Sequence, residues 1–428
     1  MELSNRQYGL YLALIFLFAL ALRVGITARF QGLQAHPDFE AQPDQIDYER
    51  LAYHMLTKQG YSLEPGQPSA HRPPGTSFVL LSIYTLFGRS FVAGRLWFCF
   101  LSAATCLATA WLARQYGSRL ASLIAAAWLA FYPGHFYHAM HFVSEVPGGL
   151  WLALACVFTL RSMRQGALKD GLLGGLFWGF AILTRPQVIF ILPIAWLLLV
   201  ILPKMSRRYL LHLVLQTGVI ILLLAPWVIR NAFVMGKPTL STVGAYTFWG
   251  AHNDIILNDS KMQGSWVKTG DLIDREHPFR GSEIELEAAA WRYGLEFIAN
   301  HPGQMPKLLM MKVWRMFSPF IDTPNRVAFW AFALGWMMTL PFVFYGMFLT
   351  YQYHREDFLV TALPIAATLV TTIIFYGSTR FRDFMAPIFV VYASIVIERL
   401  LYSLRQIPNS GAGYDKASNF LESTLTPH

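Results

Sequence analysis

Three carboxylates fall within six positions of the stretch PDQIDYERLAYHML, at Asp44, Asp47 and Glu49, with Asp38 and Glu40 just before them. The apolar positions Tyr48, Leu51, Ala52, Met55 and Leu56 recur at i, i+3, i+4 spacing, which predicts an amphipathic helix. Asp44 follows Pro43 where that helix should begin, and Asp47 stands three residues on, so one reading is a capping pair. The other is a general base. A carboxylate near a helix start, under an apolar roof, can be held ionised and aimed at a substrate hydroxyl. The two readings are compatible and both stand.

Cations that suit an anion are scattered along the chain. In SAHRPPG, residues 69–75, Pro73 and Pro74 force an extended backbone and fix the direction of His71 or Arg72. An arginine held this way at a membrane surface suits a phosphate, or else a lipid headgroup or a carboxylate. Arg185 in LTRPQ falls between two apolar runs. Arg380 and Arg382 in GSTRFRDF occupy a short outer loop where the positive-inside rule disfavours them, so a phosphate anchor is the natural reason for them; Asp383 and headgroups are the alternative partners. Glu145 in HFVSEVPGG sits at the mouth of an apolar run, where a carboxylate needs a partner; Ser144 or Glu145 ahead of Pro147 also reads as a helix start. His135, His138 and His141 cluster just before it, with no spacing diagnostic of a metal. Arg230 and Asn231 end a span in APWVIRN. The stretch STVGAYTFWGAHND, residues 241–254, sets Trp249 beside His252, Asn253 and Asp254, in the manner of a sugar platform or of a structural loop.

The elements that must position these residues are membrane spans. Of the 428 residues, 55% are hydrophobic and only 14% charged, against about 25% charged in soluble domains. Mean hydropathy is +0.40. Apolar runs at 8–28, 94–112, 119–133, 146–162, 171–184, 186–203, 209–229, 328–350, 358–377 and 384–402 predict about ten transmembrane helices. The run 76–87 is too short to span and predicts an interfacial helix. The first run is too long for a secretory signal and reads as a span. Basic residues recur in alternate short loops: Arg114 and Arg119; Arg161, Arg164 and Lys169; Lys204, Arg207 and Arg208; Arg355; and Arg399 and Arg405. Those loops are therefore cytoplasmic. The net charge of +9 follows partly from them and carries no nucleic-acid signature. Parity then puts two long polar segments, about 29–93 and 230–327, on the outer side. The expected organisation is an all-α membrane domain over 1–403 and a disordered cytoplasmic tail over 404–428, rich in Ser, Asn and Gly. Large outer loops over a helical bundle suit an enzyme whose active site faces outward. Cys99, Cys106 and Cys156 lie in apolar runs and suggest no disulfide framework or metal spacing.

Taken in order, DQIDYERLA, HRPPG with FGRSFVAGRL, YPGHFYHAMHFVSE, LTRP, APWVIRN, GAHND, HPGQMPK and RFRDFMAPI resemble the bacterial members of glycosyltransferase family 39. These are GT-C transferases related to the protein O-mannosyltransferases and the lipid A aminoarabinose transferase. The likeness runs from residue 8 to about 403. It implies a GT-C-like bundle with interfacial helices in the outer loops. It also implies a catalytic aspartate in the first loop, matched by Asp44 with Tyr48. Gln45 stands where many relatives carry an acid, and Asp47 is the reserve base. Glu145 matches the acid of the next outer loop, and Arg72, Arg185, Arg380 and Arg382 are the candidates to hold a lipid phosphate. His71, Tyr48, Trp249, His252 and Asn253 are the candidates for sugar or acceptor contacts.

The function so implied is transfer of one sugar from a polyprenyl-phosphate-linked donor to a glycan, lipid or protein acceptor. The expected route is a single inverting displacement with an aspartate base. The expected place is the outer face of the plasma (inner) membrane, on the periplasmic or extracellular side. No cofactor is required by this scheme, and a divalent metal is left open; membrane lipids are the other expected contacts, and no nucleic acid is. No Walker or dinucleotide fingerprint appears in the sequence. A polytopic transporter or lipid flippase is the alternative class, weakened because no inverted repeat or matched pair of broken spans is visible. Within enzymes, a ligase or polymerase of lipid-linked glycans is the rival.

Overall fold

Among the described residues, seven helices are long and apolar enough to cross a bilayer. The computed structural model describes residues 3–38, 42–201, 207–275, 279–321, 323 and 325–406. Glu40, Lys204 and the expected tail beyond 406 lie outside the described residues. The spans are α1 (Asn5–Ile26, continued by a π turn to Gln31), α4 (Phe91–Ala113), α7 (Glu145–Gln165), α10 (Arg207–Met235), α16 (Arg326–Tyr353), α17 (Arg355–Ile374) and α19 (Ala386–Gln406). At about 1.5 Å per residue, 20 residues reach the roughly 30 Å of a hydrocarbon core. The three other expected spans are also helices, but shorter. They are α5 (Arg119–Phe131), α8 (Leu168–Thr184) and α9 (Ile191–Ile201), the last led in by a 3₁₀ turn at Pro186–Phe190.

Local chemistry sets the ends. Ser4 forms a capping box with Gln7 on α1, Ser90 accepts from the Ala93 amide on α4, and Asn325 accepts from the amides of Val327 and Ala328 on α16. The outer faces of α1 and α16 present Leu14, Leu17, Trp330, Leu334 and Phe344 to the surroundings, as lipid-facing helices do, while Ile388, Val390 and Val391 of α19 are fully buried at the centre. Arg23 of α1 is also buried, and it is satisfied: it donates to Ser102 Oγ at 2.7 Å and meets His135 Nδ1 at 2.9 Å. An intramembrane cation needs such partners.

Two long segments between the spans pack against each other. The first holds α2 (Asp44–Leu56), a short antiparallel hairpin (Ser62–Glu64 with Gln67–Pro68) and α3 (Pro74–Phe87), the expected interfacial helix. The second holds α11 (Val243–Ala251), α12 (Asp254–Asn258), α13 (Thr269–Arg275), α14 (Glu283–Asn300) and α15 (Met305–Phe317). It has a core of its own around Trp249, Ile256, Leu272, Ala290 and Leu308. Two short helices complete the mouth: α6 (Pro133–His138), ahead of α7, and α18 (Thr379–Phe384), ahead of α19.

Candidate active site

The turn that carries Arg72 is clamped by both outer segments. Tyr61 Oη donates to the Arg72 carbonyl at 2.9 Å, and Ser241 Oγ donates to the His71 carbonyl at 2.7 Å. Glu283 of α14 accepts from Ser69 Oγ at 2.7 Å and from the Ala70 amide at 3.0 Å. Arg230 Nη1 donates to the Ser69 carbonyl at 2.8 Å, so this expected span-end arginine braces the turn. Pro73 is extended, with ψ 149°, and Pro74 opens α3. Gly75 then passes so close to α8 that a Cβ would lie 2.7 Å from the Thr184 amide nitrogen. These constraints aim Arg72 at α2. On the other side, α15 crosses Gly377 so tightly that a Cβ there would meet the Lys312 carbonyl oxygen at 1.9 Å. Arg380 follows three residues later.

The result is a chain of alternating charge assembled from five distant segments. Arg72 donates through Nε to Asp47 and through Nη2 to Asp44, each at 2.9 Å. Arg380 Nη1 meets the other Asp44 oxygen at 3.0 Å. Arg380 Nε and Nη2 donate to the two oxygens of Glu145 at 2.6 and 3.1 Å. Arg185 Nη1 donates to Glu145 Oε1 and Ser144 Oγ, both at 2.9 Å. Placing the Gln187 amide with its oxygen toward Arg185 adds contacts at 3.0 and 3.1 Å. Glu145 and Arg185 are almost fully buried.

The capping reading of Asp44 does not hold. Pro43 occupies the cap position with no side-chain cap bond, and Asp44 turns its carboxylate onto the arginines. Glu145 is the first residue of α7, and Ser144 spends its hydroxyl on Arg185 rather than on the helix. Burial alone would raise the pKa of Asp44, but Arg72 and Arg380 outweigh it and hold the carboxyl below its ordinary value. Burial, with Arg72 beside it, lowers His71 to about 4, so its imidazole is neutral near pH 7. His71 lies against Tyr246 with ring centres 5.1 Å apart.

Two cavities meet at this chain. The larger, about 410 Å³, is lined by Tyr48, Ser144 and Arg185 on one side and by Ile189, Phe190 and Leu240 on another. The smaller, about 340 Å³, is lined by Asp47, His71, Tyr246, Trp266 and Lys268. Asp44, Arg72, Tyr376 and Arg380 line both. The larger cavity offers an anion three guanidiniums beside a carboxylate, and the smaller offers a second molecule access to the same carboxylate.

Of the expected site residues, Asp44, Asp47, Tyr48, His71, Arg72, Arg185 and Arg380 line these cavities, and Glu145 stands directly behind Arg380. The others lie elsewhere. Arg382 is two residues from Arg380 on α18, about 200° round a helix. It is buried, donates to the Ser318 carbonyl at 2.6 Å and lies 4.6 Å from the Trp336 ring centre. The residues of the expected sugar platform are packed inward. Trp249 packs within the outer core, 5.1 Å from the Tyr293 ring. Asn253 caps α12, accepting from the Ile256 amide at 3.0 Å, and His252 Nε2 meets Lys312 Nζ at 2.8 Å. An aromatic, glycine-rich string reads the same whether its rings face a ligand or a core. Asp254 is exposed, 3.9 Å from His301. His135 is taken up by Arg23, and His138 lies 3.5 Å from Asp383. Among the described residues no group of three His, Cys, Asp or Glu side chains converges as a metal site. Sequence reasoning missed Tyr376 and Gln187, for which it offers no signal, and the buried Lys312.

A family model described as dolichyl-phosphate-mannose-protein mannosyltransferase matches residues 71–229. No curated protein matches the chain by sequence. Among solved structures, the oligosaccharyltransferase AglB of Archaeoglobus fulgidus, in complex with an inhibitory peptide and a dolichol-phosphate, superposes with a TM-score of 0.57 at 13% identity, covering 98% of this chain and 54% of that one. An Archaeoglobus fulgidus oligosaccharyltransferase tethered with an acceptor peptide gives 0.58 at 14% identity, over 99% and 54%. ArnT of Cupriavidus metallidurans, bound to undecaprenyl phosphate, gives 0.55 at 13% identity, over 92% and 61%. The chain thus spans about half the length of the oligosaccharyltransferase and three fifths of ArnT. This chain is a multi-span helical membrane protein with the fold of the GT-C glycosyltransferases.

Proposed function

We propose that the protein transfers one sugar from a polyprenyl-phosphate-linked donor to an acceptor at the outer face of the plasma (inner) membrane. The larger cavity takes the donor's sugar and phosphate, with the prenyl chain leaving toward the bilayer past Ile189 and Phe190. The smaller cavity takes the acceptor, a glycan, lipid or protein bearing a free hydroxyl or amine. One observation carries the reading: Asp44 is the carboxylate shared by two adjoining cavities, with Arg72 and Arg380 beside it in both and Arg185 added in the larger.

The chemistry follows from that shared carboxylate. Asp44 accepts the acceptor's proton as its oxygen or nitrogen attacks the anomeric carbon. The bond from that carbon to the phosphate oxygen breaks, its electron pair goes to the phosphate, and the configuration inverts. Arg72, Arg185 and Arg380 stabilise the charge that grows on the departing phosphate. Loss of a general base commonly costs about two to four orders of magnitude in rate. Asp44→Asn should therefore abolish release of polyprenyl phosphate from a sugar-charged donor by the detergent-purified protein, while Asp47→Asn should reduce it modestly. Normal turnover by Asp44→Asn would remove Asp44 from the reaction, and loss in Asp47→Asn alone would move the base by three residues.

A further inference from the structure

We propose that Arg380 passes from the base to the donor: its Nη1, held by Asp44 in this structure, is transferred to the lipid phosphate when the donor enters, so that Asp44 is a working base only over a loaded donor. This builds on the transfer reaction proposed above.

The hydrogen-bond pattern makes the exchange local. Arg380 keeps Glu145 through Nε and Nη2, at 2.6 and 3.1 Å, and only Nη1 reaches Asp44. Arg72 is likewise anchored on Asp47 at 2.9 Å, apart from its contact with Asp44. Arg185 is anchored on Glu145 and Ser144. An incoming phosphate can therefore draw on all three guanidiniums by displacing one carboxylate, Asp44, and no anchor need break. Anchored arginines lose little freedom on binding, which favours an exchange of anions over a rearrangement of the site.

Charge gives the exchange its direction. Asp44, Asp47 and Glu145 balance Arg72, Arg185 and Arg380 one for one. The donor's phosphodiester adds one negative charge to a balanced, largely enclosed set, and Asp44 is the acid that contacts both Arg72 and Arg380; its release leaves Arg72 paired with Asp47 and Arg380 paired with Glu145. While both arginines contact it, Asp44 is a weak proton acceptor. Once Arg380 has moved to the phosphate, that restraint falls and the carboxylate gains basicity. Transfer then puts the acceptor's proton on Asp44 and a further negative charge on the phosphate, so the base gives up its claim on the arginines as the leaving group needs them. The groups that face Asp44 are Asp47 and Tyr48 from α2, His71 and Arg72 from the turn, Glu145 from α7, and Tyr376 and Arg380 from the segment ahead of α19. Among these, His71 is neutral near pH 7, so the balance is set by the acids and arginines.

The exchange makes a prediction that a simple base does not. A sugar-free polyprenyl phosphate should bind Asp44→Asn about tenfold more tightly than the unaltered full chain at pH 7, because the competing anion is gone. Equal or weaker binding overturns the exchange. The second measurement uses the unaltered protein. The acidic limb of kcat, which reports the donor complex, should lie at higher pH than that of kcat/KM for the donor, which reports the free protein. The donor's phosphodiester does not titrate in that range, so coincident limbs also overturn the proposal. Tighter binding by Asp44→Asn, together with an unaltered protein that never releases polyprenyl phosphate from a charged donor, would sink the transfer reaction and leave the arginine exchange intact. Turnover with unchanged binding would sink the exchange alone.

Discussion

Glu145→Gln separates positioning from proton transfer. The substitution keeps the volume and one oxygen but removes a buried charge that receives three contacts, from Arg380 Nε and Nη2 and from Arg185 Nη1. Breaking a buried ion pair from one side costs about 3–5 kcal/mol. Here Arg380 keeps Asp44 at 3.0 Å and Arg185 keeps Ser144 at 2.9 Å, so the loss should fall at the lower end, about 3 kcal/mol. Its effect on Asp44 has a definite sign. The Glu145 charge pushes the Asp44 pKa up against Arg72 and Arg380, so its removal lowers that pKa further. Asp44 in Glu145→Gln is therefore a weaker base that still titrates. The assay is turnover of a polyprenyl-phosphate sugar across pH 4–8, with denaturant unfolding in detergent beside it. Activity should fall roughly ten- to hundred-fold, less than for loss of a base. The acidic limb should persist and move to lower pH. If the limb disappears and the rate falls as far as in Asp44→Asn, Glu145 itself handles the proton and the assignment of the base is wrong.

Other outcomes follow from particular contacts. Arg382→Met should destabilise the fold, since the Ser318 carbonyl and the Trp336 face lose their partner, while the KM for donor in the surviving protein stays unchanged; Arg380→Ala should instead raise that KM or slow phosphate departure. Lys312 is buried, its amine lowered from 10.5 to about 7 by that burial. Between those values the unfolded chain holds a proton that the folded one does not, so stability should rise as pH climbs from about 7 toward 10. That slope should be absent in Lys312→Met, as read by thermal unfolding at fixed ionic strength. A cysteine introduced between residues 255 and 270 should react with an impermeant reagent added outside whole cells, and one at Tyr209 should not; the reverse pattern would invert the orientation.

The sequence by itself determined the class of molecule and the inventory of its site. Hydropathy over 20 residues is a local property, so the long spans, the two polar segments between them and the short apolar helix at Pro74–Phe87 were legible without any contact being known. Turn chemistry is local too. The two prolines of HRPPG dictate an extended Arg72 wherever the chain lies, and the carboxylates of PDQIDYERL must open a helix. Pairing is not local. Asp44, Arg72, Glu145, Arg185 and Arg380 come from five segments, and their meeting depends on which helix faces touch, which α15 over Gly377 and Gly75 against α8 decide by close packing. Only that packing turned Asp44 from a cap into the carboxylate between two arginines, chose Arg380 over Arg382 for the cavity, and sent Trp249, His252 and Asn253 into a core. A carboxylate beside an amide can cap, pair or react, and the partner that wins is the one the tertiary structure brings within 3 Å.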